Sequence, residues 1–279
     1  VRFLRAVSLI ANTVMLCSTN IAPAMETISS ESYFQLHPLA DLATLSLSCS
    51  AIVLPMTLDH TKYWEEPLGS PDDINWLDHF ALNRWSPNIA RFADLMAGGS
   101  IVLPLSFTLF DTLHNHHTKD YFLDEAGVFT ESVLVTVGVT ELAKHLIHRP
   151  RPYVYGDKAP EEDKKKTDAY LSFWSGHTAI TACALTSFAY IQMKDNPGKT
   201  TTKLAVVAAL TVIPIEGVLR VLSGHHFPSD VLVGAGVGTA LGLLIPYLHL
   251  RHSGDVYGSV SPLLPNANNG FGFSINLVF

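Results

Sequence analysis

The chain has 279 residues, 48% hydrophobic and only 15% charged, with a mean hydropathy of +0.24 and a formal net charge of −7. That length admits one large domain or two small ones, and no Gly/Ser-rich or Pro-rich linker divides the sequence after residue 100. The acidic balance offers no general basic face and excludes a nucleic-acid partner, while the apolar composition leans toward a membrane bundle without deciding it.

Arg2 and Arg5 precede an apolar core at 6–17, and Ala22-Pro23-Ala24 forms an A-x-A cleavage site, so residues 1–24 read as an export signal. Residues 25–255 then form one helical domain with its core at about 70–250, and 256–279 form a tail. Six apolar segments follow in order, at 39–58, 89–110, 122–147, 171–193, 204–222 and 231–250. Each has the length of a membrane-spanning helix, roughly 20 residues. Pro150 and Pro152 stop the third segment, Asn196-Pro197-Gly198 turns between the fourth and fifth, and Ser229 or Asp230 is expected to cap the sixth. The small residues of 233–244 (VGAGVGTALGLL) permit close helix packing. The expected fold is all-α, a bundle of about six helices, with membrane embedding favoured over a soluble bundle.

Two stretches depart from the helical pattern. Residues 157–168 (DKAPEEDKKKTD) are densely charged and read as a solvated loop. In the tail, Phe271, Phe273, Ile275, Leu277 and Phe279 alternate with Gly272, Ser274, Asn276 and Val278, which predicts one short C-terminal β-strand. Its expected partner is an extended segment near the N-terminus of the mature chain. Cys49 and Cys183 sit in apolar segments and are assigned no chemistry.

Counting crossings tests the orientation. With the signal cleaved and all six segments spanning, the sites described below would face the cytoplasm and Lys194, Lys199 and Lys203 would face outward, against the preference of positive residues for the inside. With 39–58 outside the membrane the order reverses. The expectation is therefore a bacterial inner-membrane protein with its site facing the periplasm, the alternative being a soluble periplasmic protein.

Three stretches carry the chemistry. In 144–152 (KHLIHRPRP), Lys144 and Arg151 converge on one helix end, as a phosphate clamp or as a basic helix stop. In 172–178 (SFWSGHT), Ser175-Gly176-His177 opens a helix, so backbone N–H groups and the positive end of the dipole can face an anion. In 220–230 (RVLSGHHFPSD), Asp230 lies four residues after His226 and can reach one imidazole nitrogen, leaving the other free as a nucleophile. Arg220, near the end of an apolar helix, supplies a third cation. His225 and the group His114, His116 and His117 read as surface or packing residues.

Taken together, these residues resemble the type 2 phosphatidic acid phosphatase superfamily, which includes lipid phosphatases, class A bacterial acid phosphatases and vanadium haloperoxidases. Lys144 and Arg151-Pro152 match its first motif, Ser175-Gly176-His177 its second and Arg220, His226 and Asp230 its third, over a resemblance covering about 70–250. Trp174 stands where the family usually has proline, and Leu219 where it has serine. The resemblance implies that Lys144, Arg151, Arg220 and the N–H groups of Ser175 and Gly176 bind phosphate. It further implies that His226, oriented by Asp230, attacks phosphorus to form a phosphohistidine, and that His177 protonates the leaving alcohol. No metal and no cofactor are required. The expected function is hydrolysis of a lipid phosphate monoester at the membrane, the alternatives being a soluble non-specific acid phosphatase or a vanadium-dependent haloperoxidase.

Overall fold

The computed structural model describes residues 32–58, 63, 68–251, 257–263 and 272–278, and the expected signal at 1–24 lies outside them. Six long helices match the six apolar segments: α1 Pro38–Leu58, α2 Pro87–His114, α3 Lys119–Ile147, α4 Gly176–Asp195, α5 Thr200–Leu222 and α6 Pro228–Leu248. Their ends follow local chemistry. Ser86 accepts from the Ile89 N–H at 3.4 Å to start α2, and Thr118 from the Tyr121 N–H at 3.2 Å to start α3. His148 ends α3 in the left-handed region at φ 50°, two residues before Pro150. The start of α6 differs from expectation: Pro228 occupies the first helical position, so Asp230 lies at the third and its Oδ2 accepts from the Phe227 N–H at 2.9 Å.

Helix α4 lies at the centre, packed by α2, α3, α5 and α6, and most of its residues are buried. The other five long helices are apolar enough to cross a membrane by length and composition. A helix that touches only protein need not be apolar to lipid, which accounts for the Ala, Ser and Thr on α4. Gly234, Gly238 and Gly242 bring α6 against it. A Cβ at these positions would meet Ser175 O at 2.6 Å, Ala179 O at 2.0 Å and Thr186 Oγ1 at 2.2 Å. Outward-facing side chains are apolar, with Leu39, Leu103, Leu146 and Leu210 each at least 70% exposed. That surface belongs in lipid, and the chain is a membrane protein; the soluble alternative would leave the same surface in water. Helix α1, the segment whose spanning was in question, packs along α3, where Gly138 faces the Ser48 backbone.

The helices alternate in direction. The starts of α2, α4 and α6 meet the ends of α3 and α5, and all three motifs lie at that end. At the opposite end the chain before α1 crosses the chain after α6, with Gln35 N donating to His249 O at 2.9 Å and Arg251 N to Tyr33 O at 3.0 Å. The tail forms two strands rather than one, β1 Tyr257–Leu263 and β2 Gly272–Val278, antiparallel with Tyr257 opposite Val278. The strand therefore pairs within the tail and not with the N-terminal segment.

Candidate active site

Five of the eight residues singled out in the sequence line one cavity of about 250 Å³: Lys144, Arg151, His177, Arg220 and His226. Ala90, Asp94, Asp168 and His225 complete its wall. Ser175, Gly176 and Asp230 stand behind it.

Each wall residue is fixed by its own element. Lys144, in the last turn of α3, pairs with Glu141 at 2.8 Å and faces Gly176, where a Cβ would come within 3.3 Å of its Nζ. Glycine is what lets the ammonium approach the start of α4. Arg151 is buried, and Asp168 accepts from its Nε through the backbone oxygen and from its NH2 through Oδ1, both at 2.7 Å. Arg220 donates to Asp94 Oδ1 at 3.1 Å, and its Nε has no hydrogen-bond partner among the described residues. The same carboxylate oxygen lies 2.9 Å from His177 Nε2. Arg220 also shapes the turn, because its carbonyl accepts from the N–H groups of His225 and His226 at 3.2 and 3.3 Å. Gly224 completes that turn at φ 80°, with the Arg84 carbonyl 2.0 Å from where a Cβ would sit.

Two expected contacts are different in the structure. His226 Nδ1 donates to the Ser172 carbonyl at 2.8 Å, while Asp230 Oδ2 lies 3.8 Å from it. Because a carbonyl only accepts, Nδ1 carries the proton and the lone pair is on Nε2. Asp230 acts one step removed: it accepts from the Ser172 hydroxyl at 2.6 Å, from Phe227 N, and from Arg149 NH1 at 2.5 Å. Its position at the third residue of α6 turns the carboxylate toward the helix start rather than toward the ring. The Ser175 N–H is likewise engaged within the protein, donating to the Asp230 carbonyl at 3.1 Å. Ser175 instead caps α4.

Burial together with the neighbouring cations sets protonation. Burial first, then Arg220, pushes the His177 pKa down to about 4, with Asp94 acting in the other direction. His226 is held well below its ordinary value by burial, then by Arg151, Arg220 and Lys144. His225 is pushed to about 3 by burial and the two arginines. Burial would raise the Asp168 carboxyl, yet Arg151 and Lys144 bring it down to about 2. At neutral pH the pocket thus holds neutral imidazoles among fixed cations, an arrangement suited to an anion and to nucleophilic attack by nitrogen.

A model of the PAP2 superfamily matches residues 125–253, a segment that contains all three motifs. Residues 125–253 are a PAP2 superfamily segment. A PA-phosphatase related-family protein of Dictyostelium discoideum is 22% identical over 156 residues, 53% of this chain and 57% of that protein. The decaprenylphosphoryl-5-phosphoribose phosphatase of Mycobacterium tuberculosis is 29% identical over 128 residues, 46% of this chain and 60% of that one. The chain thus spans less than two thirds of the length of the curated relatives it matches. A crystal structure of a transmembrane PAP2-type phosphatidylglycerolphosphate phosphatase from Bacillus subtilis covers 76% of this chain and 87% of its own, at 22% identity and a TM-score of 0.39.

Several residues of this PAP2 site escaped the sequence reading. Asp94 lies 50 residues before Lys144 on α2, outside the matched segment, and has no motif spacing to betray it. Asp168 belongs to the charged run read as a solvated loop. His225, set aside as a packing residue, stacks on Trp85 at 5.4 Å and lines the wall. Arg149 has the clearest signal in retrospect: a cation just before a proline at a helix end calls for a counter-charge. It finds two, Asp230 Oδ1 at 2.5 Å and Asp78 Oδ2 at 2.7 Å. Trp174, which replaces the family's proline, donates from Nε1 to Thr140 Oγ1 at 2.9 Å and so ties the second motif to α3. His114 and His116 lie at the other end of α2, outside this cavity.

Proposed function

We propose that this protein is a phosphatase of lipid phosphate monoesters working through a phosphohistidine. The observation that carries the proposal is His226, fixed through Nδ1 with its Nε2 lone pair available, in the same cavity as Lys144, Arg151 and Arg220. The three cations bind the non-bridging phosphate oxygens and stabilise the charge of the transition state. The Nε2 lone pair forms a bond to phosphorus as the bond to the ester oxygen breaks. His177 gives its proton to the leaving alkoxide. Water then attacks phosphorus, His177 takes its proton, the P–N bond breaks and inorganic phosphate departs. His177 must therefore be protonated when substrate is bound, whereas burial and Arg220 on their own keep it neutral. The phosphate dianion supplies the missing stabilisation by offsetting Arg220 and Lys144. Fixed cations carry the charge at each step, so turnover needs no metal.

The lipid is argued from α2. Ala90 and Asp94 line the phosphate cavity, and Leu95, Gly99, Leu103 and Phe110 of the same helix line an apolar cavity of about 880 Å³ against α5. From Phe92 to Phe110 this groove runs about 27 Å along the helix, the length of an extended acyl or isoprenyl chain. The mycobacterial relative acts on a decaprenylphosphoryl-5-phosphoribose, a substrate of the same general class. We place the protein in a bacterial inner membrane with the pocket facing the periplasm. Because α1 runs toward the pocket end, that orientation puts residues 32–37 in the cytoplasm and is incompatible with a cleaved export signal before a spanning α1. Thiol labelling of a cysteine introduced at Asp157, near the pocket, decides between the two in intact cells.

Phosphate release is measured from a panel of lipid and water-soluble phosphoesters. Wild type should favour the lipids, lose none of its rate to EDTA well below its melting temperature, and lose about 10³-fold or more with His226→Ala. Turnover that survives His226→Ala would remove the nucleophile from the scheme.

A further inference from the structure

At the end of the bundle opposite the pocket, three side chains unused by the phosphatase chemistry converge. Asp41 lies in the first turn of α1, Glu131 within α3 and His249 just past α6, with exposures of 7, 4 and 5%. One ligand atom from each lies within 4.8 Å of the others. His249 Nε2 is 3.2 Å from Asp41 Oδ1 and 3.3 Å from Glu131 Oε2. His249 Nδ1 donates to the Ile245 carbonyl at 2.8 Å, which fixes the ring and aims Nε2 between the two carboxylates, the outer support characteristic of a metal-binding histidine.

A single proton on Nε2 can serve only one of these acceptors. Asp41 Oδ1 is in hydrogen-bonding geometry with it, whereas Glu131 Oε2, fully shielded from solvent, has only the 3.3 Å ion-pair contact with this nitrogen and no hydrogen-bond partner among the described residues. A carboxylate oxygen buried in that state needs a cation. Asp41 Oδ2, by contrast, is engaged by the His37 N–H at 2.6 Å.

We propose that Asp41, Glu131 and His249 bind a divalent transition-metal ion, Zn²⁺ by donor type, that fastens α1 to α3 and α6. One imidazole nitrogen and carboxylate oxygens are ordinary zinc ligands, and bonds of about 2.0–2.2 Å in a tetrahedron put ligand atoms about 3.3 Å apart. The spacings of 3.2 and 3.3 Å from Nε2 match that separation. Charge agrees as well. Two carboxylates and a neutral imidazole balance a divalent ion, whereas a proton on His249 leaves one negative charge and a single N–H to serve two carboxylates. The site lies where the chain before α1 already pairs with the chain after α6, so the ion would lock that crossing.

The test uses the full chain in detergent, stripped with chelator and reloaded with Zn²⁺ or Co²⁺. One equivalent of Zn²⁺ should survive gel filtration, saturating Zn²⁺ should raise the melting temperature by about 5 °C, and Co²⁺ should give visible d–d absorption. Glu131→Gln and His249→Ala should each lose the equivalent. A double variant His116→Ala/His117→Ala, in the histidine-rich turn at the same end, should keep it. The Co²⁺ spectrum is read on wild type and does not depend on the variants folding. Wild type that binds no stoichiometric metal, with no Co²⁺ absorption and an unchanged melting temperature, would overturn the proposal in favour of an imidazolium between two carboxylates. Loss of the equivalent in the His116/His117 variant would overturn it in favour of that turn.

Discussion

Arg149→Ala tests how the pocket is held. The guanidinium links Asp78, on the short helical turn Asp78–Ala81, to Asp230 at the start of α6, and both carboxylates have side chains with no exposure. It also donates to Ser229 Oγ at 2.8 Å and lies over the Phe227 ring at 4.2 Å. Removing it strands two buried charges, for which about 3–5 kcal/mol is usual. The lower end applies, because Asp78 keeps Asn75 and Ser229 as donors and Asp230 keeps Ser172 and Phe227. About 3 kcal/mol corresponds to a fall in melting temperature of about 8 °C, read by intrinsic fluorescence in detergent at pH 7. Lysine at 149 keeps the charge but not the fork, and should recover about half of the loss. Burial alone would raise the Asp78 carboxyl, but its bonds to Ser229, Arg149 and Asn75 hold it below the ordinary value. Its stabilisation is therefore full above the unfolded carboxylate pKa and lost as pH falls through the lowered one. The difference between wild type and Arg149→Ala should accordingly shrink toward about pH 3. A variant melting within a degree of wild type at pH 7 would refute the reasoning.

Two further substitutions separate roles within the pocket. Asp94→Asn removes the group that counteracts burial and Arg220 at His177, so the protonated acid becomes harder to form and kcat should fall about 10-fold. KM for the phosphoester should fall as well, because a negative charge facing the substrate is gone; an unchanged kcat would detach Asp94 from His177. Ser172→Ala removes the hydroxyl bound to Asp230 but keeps the carbonyl that holds His226, so melting should drop by about 3 °C while kcat changes less than about 10-fold. Loss of nearly all turnover would show that Asp230 orients the ring after all.

What was legible in the chain depended on whether a signal repeats. Long apolar runs repeat over 20 residues, and all six appear as helices, including central α4 despite its Ser and Thr content. Lys144, Arg151, His177, Arg220 and His226 were legible because each sits at a fixed spacing from a helix terminus. Asp94 and Asp168 were not, since a carboxylate brought in from a separate element leaves no local pattern. The expected bond between Asp230 and His226 rested on separation along the chain alone. Pro228 started α6 early enough to turn the carboxylate toward Phe227, a rotation that sequence spacing does not encode.

The matched segment at 125–253 includes neither Asp78 nor Asp94. Yet these two carboxylates neutralise Arg149 and Arg220 of that segment from without. Cut out at its own boundaries, the segment would keep its motif residues but leave Arg220 without Asp94 and Arg149 with Asp230 alone. The smallest piece of this protein that can stand alone therefore begins before Asp78, and transplanting the motifs into another helical bundle would require carrying the loop and α2 with them.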